Sequence, residues 1–95
     1  MLFKDALGEV LRTARLEQGL TLRTVSAKSN IALGYLSEVE RGHKEISSEL
    51  FSCLATGLGW ETSELVIQAG LRMAGVIVPN TAETLVDEYA DLIAQ

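Results

Sequence analysis

The sequence predicts an all-α domain, on three observations. Apolar residues recur at helical spacing along nearly the whole chain. Capping and stopping residues (Thr, Ser, Asn, Gly) punctuate those stripes, and no run alternates apolar with polar residues between hairpin turns. With 95 residues, 47% of them hydrophobic, the chain makes one domain with at most a short appendage. It can bury a core, and it is too apolar for general disorder.

Each element has its own signal. Phe3, Leu7, Val10, Leu11 and Ala14 form the stripe of a first helix, which Gly19 stops from the C′ position. Thr21 is the N-cap of a second helix, with Leu20 and Val25 spaced as a hydrophobic staple. That helix ends near Ser29 and Asn30, and asparagine tolerates the left-handed conformation a tight turn needs. Ile31 returns to the core, and a third helix runs from about Leu33 to Arg41 before Gly42.

Ser47 and Ser48 cap a fourth helix with Leu50, Phe51 and Leu54 inward, ended by Gly57 or Gly59. Thr62 caps a fifth from Ser63 to about Ala74, with Leu65, Val66, Ala69 and Met73 on one side. Pro79 breaks whatever precedes it. Thr81 then caps a sixth helix whose stripe is Ala82, Leu85, Val86, Tyr89, Leu92 and Ile93.

Composition bounds the chemistry. One cysteine and one histidine exclude a disulfide framework and cysteine- or histidine-rich metal sites. No acid, nucleophile and base fall into a catalytic pattern, so the reading is non-enzymatic, without cofactor or metal. Cys53 and Met73 read as core packing, and Trp60 as a cap on the core. The longest apolar stretch, Leu65 to Pro79, carries Gln68 and Arg72 and is too short to span a bilayer. The N-terminus, with Lys4 beside Asp5, is not a secretory signal. A cytoplasmic protein is expected, with no membrane partner.

The net charge is −5 and the pI near 4.7, yet the charge is divided. Residues 1–44 hold seven Lys/Arg (Lys4, Arg12, Arg15, Arg23, Lys28, Arg41, Lys44) against five acids. Residues 45–95 hold only Arg72 against eight. Such asymmetry suits one half to a polyanion.

The stretch Thr21–Gly42, TLRTVSAKSNIALGYLSEVERG, has the form of a helix-turn-helix unit, whose second helix enters the DNA major groove. Ser26 and Ala27 are the small residues expected where the helices cross, and Asn30 supplies the turn. Leu36 and Val39 face inward, leaving Leu33, Gly34, Ser37, Glu38 and Arg41 outward. A generic helical hairpin fits the same pattern.

Several motifs in order go further: LRTAR and QGLT, TLRTVS, GYLSEVERG, SSEL and LGWETSEL. Together they resemble the lambda-repressor-like, XRE-type helix-turn-helix family over about residues 7–74, with spacings that fit its five-helix domain. Within that family, GYLSE, ERG, KE and SSEL resemble most closely the actinobacterial ClgR regulators, activators of Clp protease genes. The resemblance implies a DNA-binding domain over residues 1–74 and a linker with a dimerisation helix over 75–95. It implies a homodimer on a near-palindromic operator of duplex DNA, with RNA polymerase as a candidate partner. It also implies an ion pair between Arg15 and Glu40 that ties the first helix to the recognition unit.

The site residues follow from that placement. Thr21, Leu22 and Arg23 open the second helix, while Leu33, Gly34, Tyr35, Ser37 and Glu38 lie on the third. Leu22 and Leu33 stand where many members carry glutamine, so Leu33 has only apolar contact to offer a thymine methyl or a sugar. Gly34 lets a phosphate approach the backbone, and Ser37 suits several base edges. Glu38 either accepts from a cytosine amino group or is a solvated acid paired with Arg41. Tyr35 contacts a phosphate or packs at the helix start. Arg23, Lys28, Arg41, His43 and Lys44 are the phosphate candidates.

Leu85, Val86, Tyr89, Leu92 and Ile93 are the expected dimer contacts, with folding back on the domain as the alternative. A protein-interaction module on the same fold, antitoxin-like or bridging, is the second functional reading.

Overall fold

Residues 1–75 of the computed structural model are described; the expected sixth helix, with Leu85, Val86, Tyr89, Leu92 and Ile93, lies outside them. Five helices follow in order: α1 (Phe3–Glu17), α2 (Leu22–Ser29), α3 (Leu33–Glu40), α4 (Ser48–Leu58) and α5 (Thr62–Met73). No strand occurs among the described residues, and no helix among them is long and apolar enough to cross a membrane.

The local signals act as expected. Thr21 caps α2 by accepting from the Thr24 N–H at 3.1 Å. Asn30 adopts φ 57°, ψ 41°, in the left-handed region. Ser47 caps α4 by accepting from the Leu50 N–H. Each satisfies a backbone group that a helix end would otherwise leave unpaired.

Packing follows the apolar stripes. From α1, Ala6, Leu7, Val10, Leu11 and Ala14 enter one core with Val25, Ile31, Leu36, Val39, Leu54, Leu58 and Leu65. Each large aliphatic side chain buried there contributes roughly 1.5–3 kcal/mol. Helix α1 packs against α3 and α5, and α2 against α3 and α4. The helix-turn-helix is thereby held from behind by α1 on one side and α4 on the other.

Five expectations are corrected. Helix α5 begins one residue earlier, capped at Glu61, whose N–H donates to Glu64 Oε1 at 3.0 Å. That bond tucks Glu64 inward, and with Gln68 it shares the buried face of Leu65 and Ala69, so Val66 and Met73 are exposed. Cys53 is exposed as well. The inward positions of α4 are 51, 54, 55 and 58, and residue 53 falls about 200° around the helix from 51. For the same reason Ala27 is exposed, while Ser29, four residues after Val25, is the small residue at the α2–α4 crossing. Phe3, at the first turn of α1, is 40% exposed.

Candidate nucleic-acid interface

Two short helices and a three-residue turn compose the unit, and its turn is closed by side chains. The Ser26 hydroxyl donates to the Ile31 carbonyl, and Ser29 Oγ donates to the Val25 carbonyl at 2.6 Å. Asn30 N–H and Ile31 N–H both return to the Ser26 carbonyl. The backbone is therefore paired where it reverses, and Leu36 and Val39 are free to anchor α3 to the core.

Behind α3 the seating is close. A methyl group on Gly8 of α1 would lie 2.5 Å from the Glu40 carbonyl oxygen and 2.9 Å from that of Val39. Only glycine lets α1 approach the last turn of α3 so nearly. At the exit of α3, Gly42 takes φ +75° against Asp5 of α1. Asp5 also accepts from the Leu2 N–H at 3.3 Å, so the same side chain closes the start of α1 and borders the end of α3. On the other side, the backbone of Ser29 lies against Gly57 of α4.

Arg15 and Glu40 form the expected pair. Arg15 Nε donates to Glu40 Oε2 at 2.8 Å and Nη2 to Oε1 at 3.1 Å, a bidentate contact. Nη1 donates to the Leu20 carbonyl at 3.0 Å. The two side chains are only 12% and 8% exposed. One guanidinium thus joins α1, the loop before α2 and the end of α3.

The predicted contact residues all reach the surface at least in part. Thr21, Arg23, Gly34, Arg41, His43 and Lys44 are exposed; Leu22, Leu33, Tyr35, Ser37 and Glu38 are half-buried. Nothing stands within 4 Å of the space a side chain at Gly34 would fill, so its backbone is open to approach. Leu22 packs against the core, which removes much of its side chain from any outward contact, whereas Leu33 is not among the core-packed residues.

Tyr35 and Glu38 are already engaged. Tyr35 OH donates to the Glu45 carbonyl at 2.6 Å, and its ring packs on the core. It braces the α3–α4 loop, and its hydroxyl proton is not available to a phosphate while that bond stands. Glu38 Oε2 lies 3.1 Å from His43 Nδ1 and Oε1 3.8 Å from Arg41 Nη1. In this structure Glu38 is paired with Arg41 and with His43. The structure brings Glu38, Arg41 and His43 into one cluster where α3 ends.

Gly8, Asp5 and the Ser29–Gly57 contact were not anticipated. A lone glycine inside the otherwise apolar-periodic α1 was the signal available for Gly8, since glycine weakens a helix unless something must come close. Asp5, three residues after Leu2 in the first turn, carried the signature of a capping carboxylate.

A family model described as helix-turn-helix matches residues 11–65. The chain belongs to the helix-turn-helix family. This helix-turn-helix domain is 53% identical over 73 residues to the transcriptional regulator ClgR of Mycobacterium tuberculosis, an alignment covering 77% of this chain and 65% of that protein. The chain therefore spans a little under two thirds of the length of that relative. The crystal structure of the clp gene regulator ClgR from Corynebacterium glutamicum matches with a TM-score of 0.72 at 42% identity, over 77% of this chain and 95% of that one. The restriction-modification controller protein C.AhdI from Aeromonas hydrophila matches with a TM-score of 0.64 at 34% identity, over 65% and 94%. The five-helix domain is of the XRE type, as its ordered motifs implied.

Proposed function

We propose that this helix-turn-helix domain is a sequence-specific, DNA-binding transcription regulator. It acts as a homodimer on a near-palindromic operator in the cytoplasm, as an activator of Clp protease and stress genes. The observation that carries the reading is the seating of α3. It is clamped from behind by Gly8, Arg15 and Asp5, while in front Gly34 and Arg41 are exposed and Leu33 and Ser37 partly so. A rigid helix with an open polar face is what major-groove reading requires. The likeness to proteins named as clp gene regulators supports the choice of target genes.

In this reading Ser37 meets base edges and Leu33 a thymine methyl. Thr21, Arg23, Arg41, His43, Lys44 and the Gly34 N–H meet phosphates, which carry most of the affinity. Leu22 contributes through its exposed fraction. Tyr35 and Glu38 arrange neighbouring groups, and RNA polymerase is the partner an activator would recruit. Dimerisation is supported by Val66, Gly70 and Met73, exposed on α5 at spacings of four and three residues. They lie on one face; Leu85, Val86, Tyr89, Leu92 and Ile93 are the further dimer contacts proposed from the sequence.

Lys44→Ala tests the phosphate assignment. The slope of log K against log salt should flatten by roughly one per protomer, with weaker binding to every duplex alike. An unchanged slope and affinity would remove Lys44 from the interface.

A further inference from the structure

His43 is the only histidine of the chain, and it stands just beyond α3 with 60% of its side chain exposed. Its Nδ1 is 3.1 Å from Glu38 Oε2. The other charged groups nearby are Arg41, across the same carboxylate, and Lys44 and Glu45 in the following loop. From α1 come Asp5, against Gly42, and Lys4, which lines a small hollow with Lys44 and Glu45.

A carboxylate accepts and cannot donate, so Nδ1 must carry the hydrogen in this contact. That fixes the role of the second ring nitrogen. In the neutral ring Nε2 is a bare lone pair, which repels a phosphate oxygen. In the protonated ring Nε2 carries a hydrogen and a share of positive charge, which a phosphate accepts as a charge-assisted bond. As a surface ion pair the Glu38–His43 contact contributes little to stability; its consequence is to hold the ring in one tautomer and orientation.

We propose that His43 is a proton-dependent phosphate contact, positioned by Glu38, so that duplex DNA is bound with uptake of a proton at each His43. Glu38 acts here through His43 and Arg41, not on a base. The proposal rests on the DNA-binding reading and adds a control to it: affinity rises as the medium becomes more acidic, on top of the dependence on salt. Reciprocity follows from linkage, because a ligand that favours the protonated ring also raises the protonated fraction.

The test uses the intact chain and a labelled mixed-sequence duplex of about 30 base pairs, roughly three helical turns, at low salt. Between about pH 6 and pH 8 the affinity should fall at least about fivefold, because histidine is the side chain that changes charge there. His43→Gln should hold the change to under about twofold, since it keeps hydrogen-bonding capacity without a titrating ring. Glu38→Gln should show a slope between the two. In the proton NMR spectrum the single histidine is identified without ambiguity. At neutral pH, adding the duplex should move its ring signals toward their acid positions.

Equal pH slopes in the parent chain and His43→Gln, with binding intact, would overturn the proposal and leave the DNA reading standing. A slope unchanged in Glu38→Gln would overturn the positioning role. No binding of the duplex at any pH at low salt would overturn the DNA reading, and this proposal with it.

Discussion

Gly8→Ala should destabilise the domain by about 3 kcal/mol, because the added methyl overpacks a contact made by backbone on the opposing side. The methyl would lie 2.5 Å from the Glu40 carbonyl oxygen and 2.9 Å from that of Val39. Neither atom belongs to a side chain that can rotate away. To admit the methyl, α1 and the last turn of α3 must separate, which strains the Arg15–Glu40 pair and the packing of Leu11 and Val39. Alanine returns about 1 kcal/mol through its better helix propensity, and the steric term is the larger. For a domain of this size about 3 kcal/mol corresponds to a fall in Tm of roughly 15 °C. Thermal unfolding followed by circular dichroism measures it. A Tm within a few degrees of the parent would mean that α1 and α3 are not in contact at Gly8. DNA affinity in Gly8→Ala should fall at temperatures where the chain is still mostly folded, since α3 loses its seat before the core melts.

Arg15→Ala should also lower stability by roughly 3 kcal/mol, since removing one partner of a largely buried ion pair leaves the other charge uncompensated. Arg15 makes two bonds to Glu40 and one to the Leu20 carbonyl. Its loss therefore frees both the end of α3 and the loop that leads into α2. Glu40→Ala removes only the first two contacts and should be the milder change. The double variant should lose less than the two single losses together, because the second substitution has no pair left to break. Arg15→Lys should rescue little, since an ammonium cannot reproduce a planar two-pronged contact while also reaching Leu20. A Tm unchanged by Arg15→Ala would show that the pair is solvated and does not join α1 to α3.

Legibility from sequence divides by the range of the interaction. Thr21, Asn30 and Gly42 act through their own backbone neighbours, and each was readable because a cap or a left-handed turn has a composition signal within a few residues. The apolar stripes of α1 and α3 were readable for the same reason. What failed was local only in appearance. Cys53, Val66 and Met73 are placed by apolar character and Ala27 by its small size, whereas burial depends on the angle each residue occupies on its helix and on which face meets a neighbour. On α5 a carboxylate, Glu64, took an inward place because it folds back to cap its own helix. Gly8, the Ser29–Gly57 crossing and the Tyr35–Glu45 brace join elements whose adjacency no local pattern states. Arg15 and Glu40, twenty-five positions apart, became readable only through the ordered motifs shared with the family.

The charge division has a structural counterpart. Arg23, Arg41, His43 and Lys44 are exposed on the helix-turn-helix or just after it, while Arg72 is the only cation beyond residue 44 and is held by Thr13 of α1. With so few cations exposed there, the proposed DNA binding should be weak for a single copy, and the proposed homodimer should bind more tightly.

On the proposed function, α3 reads DNA from a symmetric pair of domains. Selection of bound duplexes from a random-sequence pool puts this to the test. The predicted result is a near-palindromic consensus with half-sites about one helical turn, roughly 34 Å, apart. Recovery of no enriched sequence by a chain that is folded and at low salt would contradict it.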